Sequence, residues 1–292
     1  MFPVGFKARS AELSDVEMFY QIGGSGPPLY LLHGFPQTHV AWHRVAPALS
    51  EKHTVVIPDL RGYGKTSAPE TDDQHFPYSK RAMAQDIVEL ADHLGHARFA
   101  LAGHDRGARV GYRLVLDHPG RVTRFCSVDV IPTLDVWEQM DAATALAHYH
   151  WSFLALPSPV PETLIGHDPR FYFGHLFERW AGDWRGLDAG AMEMYLAQYG
   201  RPGRIHAQCE DYRAGATCDC ALDRHDRTAG RKLTAPVLLL WGRGYLGENA
   251  VSPRASWEQW ADDVRDVPLD CGHFVVEEQP TASAEAMLSF FG

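Results

Sequence analysis

The stretch "GHDRG" at residues 103–107 sets an acid between two glycines, after the apolar run "RFALA" and before "ARVGYRLVLDHP", which reads as a helix. Small residues on both flanks permit a strained strand-to-helix turn that lifts its central side chain to the mouth of a sheet. Asp105 is that central residue, where such an elbow usually carries serine. An aspartate here would also suit the plainer job of capping the next helix. The glycines and the preceding strand are, however, the context a nucleophile elbow requires. Two partners follow in the chain order nucleophile, acid, histidine: Asp129, which ends the apolar run "FCSV", and His273 in "DCGHF". Most of the 16 histidines have no such setting; His273 stands out by its Gly-His pair at a strand end. Glu248, in the loop after "LLLWG", competes for the place of the acid.

The type of nucleophile selects the reaction. Serine attacking an sp³ carbon would leave an ether, which water does not readily cleave, whereas an aspartate leaves an ester. In the expected sequence, Asp105 displaces a leaving group in line, and His273, oriented by Asp129, activates a water that attacks the Asp105 carbonyl carbon. Gly34 in "HGFPQT" lets backbone approach closely, so the Phe35 and Arg106 N–H groups form the expected oxyanion hole. Asp105 must be ionised to attack, and its reference pKa of about 3.9 with a helix N-terminus and cations nearby provides for that.

Arg106 and Arg109 lie one and four positions after Asp105, so both start from the first turn of one helix and reach the mouth of the site. A surface position is the competing reading for Arg109. Arg113, one turn further, pairs with Asp117 at i+4 on the surface. His148 and His150 form an H-x-H pair, and Cys218 and Cys220 a C-x-C pair, but neither has the further ligands of a metal site, so no metal is expected. "DLRGYGKTS" at 59–67 lacks the spacing of a phosphate-binding loop and reads as support for the site.

Six short apolar runs must position these residues: "PLYLLHG", "HTVVIPD", "RFALAGH", "RFCSVDV", "APVLLLWG" and "RDVPLDCGH". With amphipathic stretches between them, they predict an α/β fold, a mostly parallel doubly wound sheet covered by helices. "YSKRAMAQDIVELADHLG" places Met83, Ile87, Leu90 and Leu94 near a 3.6-residue period, and "EAMLSFF" closes the chain as a helix. Between residues 134 and 217 the strand rhythm stops, and four of the eight tryptophans fall there. A helical cap inserted after "RFCSVDV" is expected, dividing the core into residues 1–133 and 218–292 and covering the strand ends where ligands bind. The loop "WGRGYLGENAVSPRASW" at 241–257 fits no pattern that assigns it a part.

At 292 residues and 45% hydrophobic content the chain can bury a full core. A net charge of −10 leaves no basic face for nucleic acid. No apolar run approaches the 18 or so residues of a membrane span, and five cysteines without regular spacing suit free thiols, so a cytoplasmic protein is expected.

"HGFPQT", "DLRGYG", "GHDRG" and "CGHF", in this order over nearly the whole chain, resemble the α/β-hydrolase superfamily. Within it, "GHDRGARVGYRLVLDHP", "SVDVIPT", "HYHW" and "CEDYRA" together look like the fluoroacetate (haloacetate) dehalogenases. The resemblance implies the α/β-hydrolase fold, hydrolysis of a haloacetate to glycolate and halide, no cofactor, and a homodimer. It assigns the substrate carboxylate to Arg106 and Arg109, in keeping with the planar fork that guanidinium offers a carboxylate. It assigns the leaving halide to His150, Trp151 and Tyr212 of the cap; packing alone would make Trp151 and Tyr212 cap core. Haloalkane dehalogenases and epoxide hydrolases usually have an aromatic residue after the nucleophile, so Arg106 argues for an acid substrate. Those neutral-substrate enzymes, and a ligand-binding module without turnover, are the alternatives.

Overall fold

The computed structural model describes residue 2, residues 5–248 and residues 252–292. Strand β3 (Pro28–Leu32) shows how the sheet is built. Leu29 and Leu31 face one apolar cluster, and Tyr30 and Leu32 face a second one on the opposite side. Side chains alternate between faces of a strand, so a run that is apolar throughout is stable only where both faces are covered. The same holds for β4 (Thr54–Pro58), β5 (Phe99–His104) and β7 (Val237–Gly242), and for β6 (Val122–Val128) from Phe125 onward, its Thr123 being exposed and Arg124 half-buried.

With β8 (Val264–Leu269) and two N-terminal strands, β1 (Lys7–Glu12) and β2 (Glu17–Gly24), they form one eight-stranded sheet in the order β1-β2-β4-β3-β5-β6-β7-β8. Only β2 runs against the rest. The edge strand β1 is exposed at all but Ala11, which is why no apolar run announces it. Helix α1 (Lys80–His93) starts on a Ser79 cap, whose hydroxyl accepts from the Ala82 N–H, and buries Met83, Ile87 and Leu90 as its period predicts.

Helix α2 (Arg106–Asp117) leaves the end of β5 through Asp105. Between β6 and β7 the chain is helical from Thr133 to Thr228: α3 (Thr133–Glu138), α4 (Ala142–Ala147), α5 (Tyr149–Leu154), α6 (Val160–His167), α7 (Pro169–Trp180), α8 (Ala189–Ala197), α9 (Arg204–Ala214) and α10 (Cys220–Thr228). A π-type turn, Gly215–Asp219, joins α9 to α10, so the expected end of the cap at 217 falls inside a continuous helical run. Cap side chains, among them Trp151, Phe173, Phe177 and Trp180, share a cluster with Phe35 and one face of the sheet. The cap is thereby packed into the core rather than laid over it.

Arg113 corrects its surface reading. It is buried and bonds Asp226 at 2.6 Å, Asp223 at 3.0 Å and Asp117 at 3.1 Å, tying α2 to α10. The i+4 pair exists, but the helix after an elbow lies inside the protein, and a buried guanidinium requires carboxylates on several sides.

Candidate active site

The elbow forms because glycine stands where no side chain fits. A Cβ at Gly107 would meet the Leu32 and His33 carbonyl oxygens, and one at Gly103 would meet the Gly107 backbone. Asp105 itself has φ 47° and ψ −115°, outside the regions that L residues favour, a strain of about 1–3 kcal/mol that persists where surrounding structure holds it. Its side chain makes no capping bond to α2, so the capping role does not apply. Instead Oδ1 accepts from the Phe35 N–H at 2.9 Å. Gly34 is required for that approach, since its Cβ would strike the Asp105 side chain.

Asp129 leaves the end of β6 with φ 53°. Its N–H donates to the Leu240 carbonyl at 2.8 Å, and Oδ1 accepts from the Gly242 N–H at 2.8 Å. Oδ2 lies 2.6 Å from Nδ1 of His273, which fixes the imidazole with Nε2 available. Asp129 thus occupies the place of the acid, while the Glu248 side chain lies outside the described residues. Burial lowers the His273 pKa to about 4 despite the opposing field of Asp105, so the ring is neutral at pH 7 and able to take a proton. Burial also pushes Asp129 well up, against the Gly242 N–H. For Asp105, burial opposes ionisation. The positive fields of His273 when protonated, and of Arg109 and Arg106, outweigh burial and hold the carboxyl below its usual range.

Both arginines are buried, which excludes the surface reading of Arg109. Arg106 donates to Asp211 through Nε at 3.1 Å and through Nη2 at 2.6 Å, and Asp211 in turn is paired with Lys80 and accepts from the Tyr63 hydroxyl at 2.8 Å. Nη1 of Arg106 has no partner. Arg109 donates from Nη1 to the Ile131 carbonyl at 3.0 Å and to Thr133 Oγ1 at 3.1 Å, and its Nε has no partner. Among the described residues Arg109 forms no ion pair with a carboxylate; burial and the Arg106 charge lower its pKa.

His150, Trp151 and Tyr212 come together from α5 and α9, with ring centroids 5.8 Å apart for His150–Tyr212 and 5.9 Å for Trp151–Tyr212. The Arg109 guanidinium lies 4.6 Å from the Trp151 ring and that of Arg106 lies 4.1 Å from the Tyr212 ring. Burial keeps His150 neutral and Tyr212 protonated, and Nδ1 of His150 has no partner. A cavity of about 280 Å³ opens onto Asp105, Arg109, Trp151, Tyr245 and His273. Of the expected halide trio only Trp151 lines this space; His150 and Tyr212 pack around it.

Three contributors escaped sequence reasoning. Asp211 lies in the quoted "CEDYRA", but nothing in spacing shows that it meets Arg106. Tyr245, from the unplaced loop, packs 4.3 Å from the His273 ring. His104, inside "GHDRG", donates from Nε2 to the His273 carbonyl at 2.9 Å. His148 bonds the Tyr245 hydroxyl at 3.3 Å, and the Cys218 and Cys220 thiols face helix carbonyls. Among the described residues no group of three or more His, Cys, Asp or Glu side chains is arranged to hold a metal ion, and no helix is long and apolar enough to cross a membrane.

The α/β-hydrolase fold family matches residues 27–280. A fluoroacetate dehalogenase from Burkholderia is 43% identical over 98% of this chain and 94% of its own. A soluble epoxide hydrolase from Corynebacterium is 33% identical, covering 96% of each chain. A solved structure of an α/β hydrolase from Nostoc superposes with a TM-score of 0.95 at 43% identity, covering 98% of both chains. The chain belongs to the α/β-hydrolase superfamily and, within it, to the fluoroacetate dehalogenase family. It is a hydrolase.

Proposed function

We propose that this hydrolase converts a haloacetate to glycolate and halide. The observation that carries the reading is Arg109, a buried cation with no carboxylate partner beside the nucleophile. An unpaired buried charge is costly, and an anionic substrate offsets that cost. The unpartnered Nε of Arg109 and Nη1 of Arg106 supply two donors for its carboxylate. A neutral epoxide or haloalkane would leave the Arg109 guanidinium without an anionic partner, whereas Arg106 keeps Asp211.

With the carboxylate held, Asp105 attacks the α-carbon and the carbon–halogen bond breaks as the carbon–oxygen bond forms. The halide departs toward Trp151, which lines the cavity, and His150 and Tyr212, packed against that ring, complete its donors, since its hydration must be replaced by fixed groups. Because Oδ1 already sits against the Phe35 N–H, that oxygen becomes the ester carbonyl. His273 then removes a proton from water attacking Cγ, the charge on Oδ1 develops against the Phe35 and Arg106 amides, and glycolate leaves with Asp105 restored.

The decisive experiment measures halide release from fluoroacetate and chloroacetate, with Asp105→Ala as control, beside turnover of simple epoxides and 1-haloalkanes. Release from the acids that vanishes in the variant supports the proposal. Turnover confined to the neutral compounds rejects it in favour of the chemistry named for the Corynebacterium relative.

A further inference from the structure

The polar groups around His273 are held by four separate parts of the molecule. Its Nδ1 is set by Asp129 at the end of β6, and its carbonyl accepts from His104 at the end of β5. Its own N–H donates at 2.8 Å to the carbonyl of Trp180, the last residue of cap helix α7. The peptide groups on either side belong to Glu278. Oε2 accepts from the Gly272 N–H at 2.9 Å, and Oε1 from the Phe274 N–H at 3.0 Å.

Oε2 also accepts at 2.8 Å from the N–H of Gly182, two residues beyond α7. One carboxylate oxygen therefore bridges the cap to the loop that carries the histidine. The contact is close: a Cβ on Gly272 would meet the Gly182 N and the Trp180 carbonyl oxygen, and a Cβ on Gly182 would lie 2.9 Å from Glu278 Oε2. Asp105, by contrast, follows β5 directly, donates its N–H to the Val128 carbonyl of β6 at 3.1 Å and accepts from the Phe35 N–H, with no hydrogen bond to this loop among the described residues.

We propose that Glu278 is a positioning residue for the hydrolytic half of the reaction, and that through it the seating of α7 on the core sets the aim of His273. The inference rests on the covalent aspartyl ester of the preceding reading. It does not depend on the substrate, because halide displacement and epoxide opening give the same kind of ester. Formation of the ester needs Asp105 and a bound substrate. Its hydrolysis needs His273 aligned on a water at Asp105 Cγ, and a misplacement of about 1 Å in such a group costs roughly 100-fold.

The test compares wild type, Glu278→Ala and Glu278→Gln by rapid quench with chloroacetate, or with an epoxide if that proves the substrate, following the first turnover and the mass of the intact protein. For Glu278→Ala the expected result is first-turnover ester formation within about 2-fold of wild type. Steady-state turnover is expected to fall about 10- to 100-fold, with the ester accumulating. Glu278→Gln, which keeps one acceptor oxygen, should fall between the two, and it carries the test if the alanine variant does not fold. A general loss of structure would slow both steps together without accumulation, and that outcome overturns the proposal, as does a folded Glu278→Gln with wild-type turnover. A wild-type single turnover in ¹⁸O-water that leaves no label in Asp105 with either substrate would instead reject the covalent reading.

Discussion

The two halves of the site are built by different means. On the core side, Asp105, Asp129 and His273 stand at the ends of β5, β6 and β8, and backbone groups fix most of their polar atoms. On the cap side, His150, Trp151 and Tyr212 are held mainly by the packing of aromatic rings, and a nitrogen of His150 is left without a partner. Arg106 and Arg109 stand at the seam, rooted in α2 and reaching cap rings. Strand ends joined by hydrogen bonds keep a geometry that covalent chemistry requires. Ring packing leaves donors for a guest, which suits recognition. In the proposed reaction this contrast would divide labour between a core that reacts and a cap that selects.

The largest expected effect lies on the core side. Asp105→Ala should abolish turnover, by about 10⁴-fold or more. A single turnover of wild type in ¹⁸O-water should place label in Asp105 by mass spectrometry of its peptide; label found only in glycolate would contradict the ester. His273→Asn should slow turnover about 10²- to 10⁴-fold while leaving ester formation intact, so that the protein gains the mass of a carboxymethyl group, the haloacid less its halide.

At the seam, Arg109→Met should raise KM for a haloacid strongly, lowering kcat/KM about 10- to 150-fold for the loss of a charged hydrogen bond of about 1.5–3 kcal/mol. Arg106→Met should do the same and also leave buried Asp211 with only Lys80 and the Tyr63 hydroxyl, so its melting temperature should drop further than that of Arg109→Met. If the substrate is neutral, neither change should alter KM much.

On the cap side the effect should be smaller and should depend on the leaving group. Tyr212→Phe removes one donor and should slow fluoroacetate about 10-fold but chloroacetate less, since fluoride needs the stronger replacement of its hydration. An equal loss with both acids would assign Tyr212 to packing.

The broadest and gentlest test is pH. Burial lowers His33, His104, His148 and His273 from an ordinary value of 6.5 to about 4. Each stays neutral in the fold while the unfolded chain takes up a proton, so their contribution is fully present above pH 6.5 and is lost as pH falls toward 4. Glu277, raised to about 8 by burial, works the other way: its contribution is present below its ordinary 4.5 and lost as pH rises through 8. Thermal melting followed from pH 8 to pH 4 should show the acid-side loss between 6.5 and 4. Asp105 is ionised and His273 neutral at neutral pH, so activity should fall only where the protein approaches that limit.

Much of this was legible in the chain because strong local patterns carried it. Six apolar runs became β3 to β8, and the glycines of "GHDRG" and "HGFPQT" marked positions where a Cβ has no room. The edge strand β1 was not legible, since an exposed strand needs no apolar run. Arg113 was misplaced because the i+4 spacing says who can pair with whom and nothing of what else surrounds the pair. No break in sequence marks position 217, where a helix changes pitch through a π-type turn and runs on.

Residue types and their spacing are enough for the class of fold, and they single out Asp105, Asp129 and His273 as candidates in the order nucleophile, acid, histidine. Each of these rests on residue type and on contacts between neighbours in the chain, where spacing is geometry. The folded structure is needed to show that Asp129 meets His273, that Asp211 takes two arms of the Arg106 guanidinium, that Arg109 is buried with no ion pair among the described residues, and that Glu278 joins the cap to the histidine loop. Those pairings span tens to more than a hundred residues. Their physical cause is the burial of charged and polar groups, each of which must find a partner among whatever the folded chain brings near.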